Sequence, residues 1–175
     1  CVKVRIYSKS SPEDLLKGIE LEREEHKVSS SNVLYDNDWL WRWLAWRDYI
    51  WFKWWDPAMK VAWSKEEYAN LKTQLYYHLA EKVNQNLISY KWCEVVIDWH
   101  RENSITIWSK TTNVIDLLIA DLRSVKRAKT DAEFKKHINS KAEQKNILWR
   151  SPDMWDTAMM RMYFEFFSRP EKVIS

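Results

Sequence analysis

One glycine, Gly18, in 175 residues leaves this chain few inexpensive ways to turn. Glycine averages about 7% of residues, so about twelve are expected at this length. The shortage excludes several function classes. A phosphate-binding loop needs glycines so that backbone N–H groups reach the phosphates. The dinucleotide fold needs three, and the serine-hydrolase elbow needs them beside its nucleophile. Gly18 lies inside a helical pattern and serves none of these.

Tryptophan shows the opposite extreme, with thirteen in the chain. Eight fall between Trp39 and Trp63. The run 39–55 is apolar on nearly every side, interrupted by Arg42, Arg47, Asp48 and Lys53. We read it as a central helix buried on all sides, making a tryptophan-dense core. Eight exposed tryptophans would form too large an apolar patch for a soluble domain. A membrane-interface helix and a base-stacking surface are the competing readings.

Helix starts are well marked. Ser11-Pro12-Glu13-Asp14 gives an N-cap, an early proline and two acids, and Ser151-Pro152-Asp153 repeats the pattern. Ser64–Glu67 and Thr130–Glu133 have capping-box spacing. Asp56-Pro57 marks a break. Tyr68, Leu71, Leu75, Leu79 and Val83 share one helical face, as do Val114, Leu118, Leu122 and Val125. The last helix aligns Trp155, Met159, Met162 and Phe166, with Met160, Phe164 and Phe167 widening the face. Its apolar breadth predicts two packed layers or a protein partner.

Residues 2–8 alternate like a strand, and Val33-Leu34-Tyr35 suggests another. Residues 91–99 predict a strand with Ser104–Trp108 as its hairpin partner. The turn would be His100–Asn103, with Asn103 taking a left-handed conformation in place of glycine. The expected architecture is a helix-dominated α+β single domain over residues 1–175, with the N-terminal strand and a hairpin near 91–109 packed by about five helices.

The net charge of +3 is unevenly spread. Residues 11–27 carry six acids against three bases, and residues 121–150 nine bases against four acids. This favours an anionic partner for the C-terminal half, or pairing of the two segments. The two cysteines, Cys1 and Cys93, do not make a disulfide scaffold, so a reducing, cytoplasmic setting is the default. The start at Cys1 reads as a processed, excised or engineered end.

No cofactor or metal is expected. Glu22 with His26, His78 with Glu81 and Glu133 with His137 stand at helical spacing. None builds the repeated Glu-x-x-His motif of di-metal bundles. Asp98 after Val95-Val96-Ile97, with Lys110 beyond, resembles the restriction-endonuclease-like core, implying a metal-dependent hydrolase. Trp108 stands where that family places a second acid.

Ile6-Tyr7-Ser8-Lys9 before Ser11-Pro12-Glu13-Asp14, and the spacing from Val95-Val96 to Ile105–Trp108, resemble the messenger-RNA cap-binding translation initiation factors. The resemblance covers roughly residues 4–125 by pattern and implies aromatic stacking on a nucleotide. Trp43 would stack on the base, Arg101 contact a phosphate and Trp108 lie near the cap methyl group. Leu44, Trp99 and Ser104 replace an expected acid, arginine and lysine. The expected function is a non-enzymatic binding or structural domain, with RNA or a cap-like nucleotide as the alternative ligand. The regular caps and excess tryptophan also fit a designed or resampled sequence.

Overall fold

The computed structural model describes residues 3–6, 11–36, 47–60, 67–88, 94–97, 100–101, 104–107, 110–129 and 134–166. They form a helix-dominated α+β arrangement with small sheets. Strands are β1 (Lys3–Ile6), β2 (Leu34–Asp36), β3 (Ile50–Phe52), β4 (Glu94–Ile97), β5 (His100–Arg101), β6 (Ser104–Ile107) and β7 (Lys110–Asn113). Helices are α1 (Pro12–Glu25), α2 (Leu71–Asn84), α3 (Val114–Ser124), α4 (Lys141–Leu148), α5 (Asp153–Arg161) and the short α6 (Tyr163–Phe166).

β4 is the centre of a three-stranded sheet in the order β1-β4-β5. Its Val95, Val96 and Ile97 are all buried. Successive side chains point to opposite faces, so burial of three in a row means that both faces are covered. β1 pairs with β4 in parallel, with Val4 opposite Val95. The expected hairpin differs. His100 and Arg101 are not turn residues; they pair antiparallel with Ile97 and Val96. β6 pairs instead with β7, Ile105 opposite Thr112. The sequence 110–113 carries little apolar signal, so the nearer partner was hidden.

The tryptophan run also departs from expectation. Residues 39–46 lie outside the described residues. Ile50–Phe52 is a strand, parallel to β2, and not part of a helix. Phe52 is fully buried while Trp51 faces outward, the two-residue alternation of a strand. Periodicity alone cannot separate helix from strand in a run that is apolar throughout. The described tryptophans divide between core and surface, with Trp54 packed against the core and Trp51 exposed. Trp155 is buried, but Trp55 is 64% and Trp149 85% exposed.

Among the described residues the core is mainly aliphatic. Leu71, Leu75 and Leu79 of α2, Val114 and Leu118 of α3, and Trp155 and Met159 of α5 form one buried cluster with Phe52. Burying each large apolar side chain contributes roughly 1.5–3 kcal/mol before cavity effects. The faces read from α2, α3 and α5 are therefore those that pack.

Caps decide the helix limits. Ser11 is the expected N-cap of α1, and with Asp14 it completes a capping box. α2 does not start at Ser64, because Glu67 O accepts from Lys136 N (2.8 Å) and Ala69 N donates to Lys136 O (3.0 Å). Asn70 caps α2 by accepting from Thr73 N. No helix runs on from Thr130–Glu133, which lie outside the described residues. Instead Arg127 and Ile138 form an antiparallel bridge, with Ala128 N donating to His137 O and Asn139 N to Lys126 O. The effective box is Ser140 with Glu143, opening α4. Pro152 is the cap of α5 and not its first helical residue.

Among the described residues, glycine scarcity leaves its mark at four positions. Lys27, Asn86, Phe134 and Trp149 all have φ between 52° and 62°. Lys27 and Asn86 follow helix ends, where Val28 N reaches Arg23 O and Leu87 N reaches Lys82 O. That is the Schellman closure usually given to glycine.

Candidate functional site

A cleft of about 360 Å³ opens where β2, the turn after β3, and the N-terminal turns of α2 and α4 converge. Asp36, Trp54, Asn70, Lys72, His137 and Lys141 are among its walls. Each is placed by a local rule. Lys72 lies in the first turn of α2, fixed by the Asn70 cap. Lys141 opens α4, fixed by the Ser140–Glu143 box. Trp54 sits in the turn that ends at Asp56-Pro57, its ring edge-on to buried Phe52 at 5.0 Å.

Trp54 and the lysines form one constellation. Lys72 Nζ lies 4.4 Å from the Trp54 ring centre and Lys141 Nζ 5.8 Å. Cations over an indole face are attracted by the ring quadrupole. The indole N–H donates to Asp36 Oδ1. Trp54 is thus held by its edge and covered on its face.

Behind the lysines lies Asp156 of α5, almost wholly buried. Its Oδ1 accepts the Tyr76 hydroxyl at 2.6 Å and pairs with Lys72 Nζ at 3.2 Å. Its Oδ2 pairs with Lys141 Nζ at 3.4 Å. Lys141 also reaches the exposed Asp153 at 3.5 Å. One buried carboxylate therefore faces two amines and a phenol.

Burial pushes the Lys72 amine below its ordinary pKa; Asp156 opposes this and Lys141 adds to it. Burial also works against the charge of Lys141, but Asp156 and Asp153 together hold its pKa above the usual lysine value. The two amines differ because Lys141 has a second, solvent-facing acid and Lys72 is the deeper. Burial, followed by the Asp156 charge and hydrogen bond, keeps the Tyr76 phenol protonated far above the normal tyrosine range.

Of the residues singled out by sequence, only His137 is among the described residues that line the cleft. Trp43, Trp108 and Asp98 lie outside the described residues. Arg101 is in β5, opposite Val96. Lys110 begins β7, opposite Ile107. His78 lies 3.8 Å from Glu81. His26 is 3.4 Å from Glu22, and these two with Glu25 form a group of three potential ligands on the surface at the end of α1. His137 lines the cleft, but its expected partner Glu133 is not described. Lys72 and Lys141 of the cleft, and Asp156 behind them, are not legible as a site in the sequence. Their signal was weak: Lys72 and Tyr76 are four apart on α2, yet Asp156 is distant in the chain.

Among the described residues no helix is long and apolar enough to cross a membrane. No protein-family model matches the chain, and no curated protein matches it in sequence.

Proposed function

We propose that this chain is a binding domain whose ligand is a small molecule carrying an anionic group, held in the cleft between α2 and α4. The observation that carries this reading is the convergence of Lys72 and Lys141 beside Trp54 in one opening. The volume lies at the lower end of the range for small-molecule sites. Two helix N-termini add partial positive charge at the same place. Asp36 gives the opposite wall an acceptor, so a ligand with an anionic end and a donor end fits both. The two lysines beside Trp54 supply the basic chemistry that the phosphate end of a nucleotide would need.

The test is titration with inorganic phosphate, oxalate and a nucleoside monophosphate, followed by amide NMR shifts. Shifts are expected at Asn70–Thr73 and His137–Lys141, and are expected to weaken in Lys141→Gln. Shifts scattered over surface lysines, unchanged in that variant, would refute the reading.

A second reading has its own observation. Phe134 and Trp149 are each 85% exposed, and the segment containing them exposes Arg123, Lys126, Arg127, Lys129 and Lys145. Exposed rings among bases suit unpaired RNA. Oligouridylate should then quench fluorescence in a salt-sensitive way, and Trp149→Ser should reduce the quenching.

A further inference from the structure

We infer that Lys72 is a nucleophilic amine that captures a small aldehyde or keto acid as an imine in the cleft. The inference rests on the reading that this cleft takes an anionic ligand, and it names that ligand's second functional group.

The geometry has three parts. The Lys72 side chain is 15% exposed, so it is shielded from bulk water yet lines the opening. A nearby cation, Lys141, faces the same carboxylate. Lysine nucleophiles are activated by desolvation or by an adjacent cation. The third part concerns Asp156. When Lys72 gives up its proton, Asp156 keeps the Tyr76 hydroxyl at 2.6 Å and the Lys141 ammonium at 3.4 Å. A buried carboxylate left alone would oppose deprotonation strongly. Here it is not left alone, so Lys72 is the dispensable cation of the pair. The lowered pKa of the Lys72 amine agrees with this arrangement.

The reaction balances without an added oxidant or reductant. The Lys72 ammonium first loses a proton to solvent. The amine nitrogen then bonds to the carbonyl carbon, and the π pair moves to oxygen, which takes up a proton. The nitrogen sheds a proton to give a neutral carbinolamine. Loss of the hydroxyl group as water, with release of the last N–H proton, leaves a C=N bond. The sum is amine plus carbonyl giving imine plus water. Lys141 is placed to hold the carboxylate of the incoming acid. The charged and titratable groups around Lys72 are Asp156 from α5, Lys141 from α4, Asp36 from β2, Tyr76 from α2 and His137.

Glyoxylate joins a carboxylate to an aldehyde and is the probe. The folded chain is incubated with glyoxylate and cyanoborohydride at limiting extent, and the carboxymethylated lysines are mapped by peptide mass spectrometry. The expected result is labelling at Lys72 at least tenfold faster than at exposed Lys60 or Lys129. Oxalate should compete with it. Lys72→Arg keeps the positive charge and removes the nucleophile; it should remain folded and lose the fast adduct. Labelling spread evenly over the exposed lysines overturns the inference. If oxalate still shifts the cleft amides in that case, the binding reading survives alone. If oxalate produces no shift, both readings fail.

Discussion

The Tyr76 hydroxyl donates to Asp156 at 2.6 Å, joining residues eighty apart in sequence. Through this contact α2 and α5 share a buried polar centre within an otherwise apolar interface. Removing one member of a buried polar pair leaves the other partly unsatisfied, at about 1–3 kcal/mol. Tyr76→Phe should lower unfolding stability by that amount in urea denaturation. Little or no change would mean that the two lysines already satisfy Asp156.

The same contact has a pH signature. The Tyr76 phenol is held far above its ordinary pKa in the fold, whereas the unfolded phenol ionises near pH 10. The folded state then binds more protons than the unfolded one above that pH. The contribution is complete below about pH 10 and falls as pH rises further. Tyr76→Phe should flatten the alkaline limb of the stability profile. Tyr35, Tyr49 and Tyr163, raised chiefly by burial, should leave a residual slope.

Glu20 works in the opposite direction. It accepts from Tyr49 Oη at 2.6 Å, Arg47 Nη1 at 2.6 Å and Arg23 Nε at 2.9 Å, tying α1 to the segment before β3. The Tyr49 hydrogen bond leads in lowering its pKa; burial opposes this, and the two arginines assist. Its stabilisation is present above the ordinary glutamate pKa near 4.5 and is lost as pH falls through the lower folded value. Glu20→Gln should weaken the fold at pH 7 by less than about 1 kcal/mol, the scale of a partly exposed pair. The gap between variant and parent should close in acid.

Arg150 and Asp121 form a buried ion pair between α3 and the entry to α5. Arg150 also donates to Leu117 O at 3.2 Å and Ser151 O at 2.9 Å, and Asp121 accepts from Trp155 N at 3.3 Å. Burial raises the Asp121 pKa against the pull of Arg150. Arg150→Met should therefore cost about 3–5 kcal/mol, since it strands a buried carboxylate. The double variant Arg150→Met with Asp121→Leu should recover part of the loss. A double variant less stable than Arg150→Met would refute the ion-pair account.

The left-handed residues offer a gain. Lys27 has φ 52° at an exposed helix end. A non-glycine residue pays roughly 1–2 kcal/mol in that conformation, partly offset by the unfolded-state entropy of glycine. Lys27→Gly should raise the thermal midpoint by a few degrees. Unchanged or lower stability would show that the lysine side chain contributes to the turn.

Local chemistry fixed much of this protein in advance. The Ser11–Asp14 box set the start of α1, and the spacings of Leu71, Leu75 and Leu79 and of Val114 and Leu118 set which faces became core. These are short-range effects of capping and periodicity. The scarcity of glycine likewise dictated that other residues take positive φ, although not which ones. Tertiary structure decided the rest. Ile50–Phe52 became a strand because Leu34–Asp36 was there to pair with it, a contact that no local pattern encodes. Lys136 drew Glu67 and Ala69 out of the expected helix by bonding their backbone. The cleft belongs to the same class. Trp54, Lys72, Lys141 and Asp156 come from four separate segments, and only packing of α2, α4 and α5 brings two amines onto one buried carboxylate.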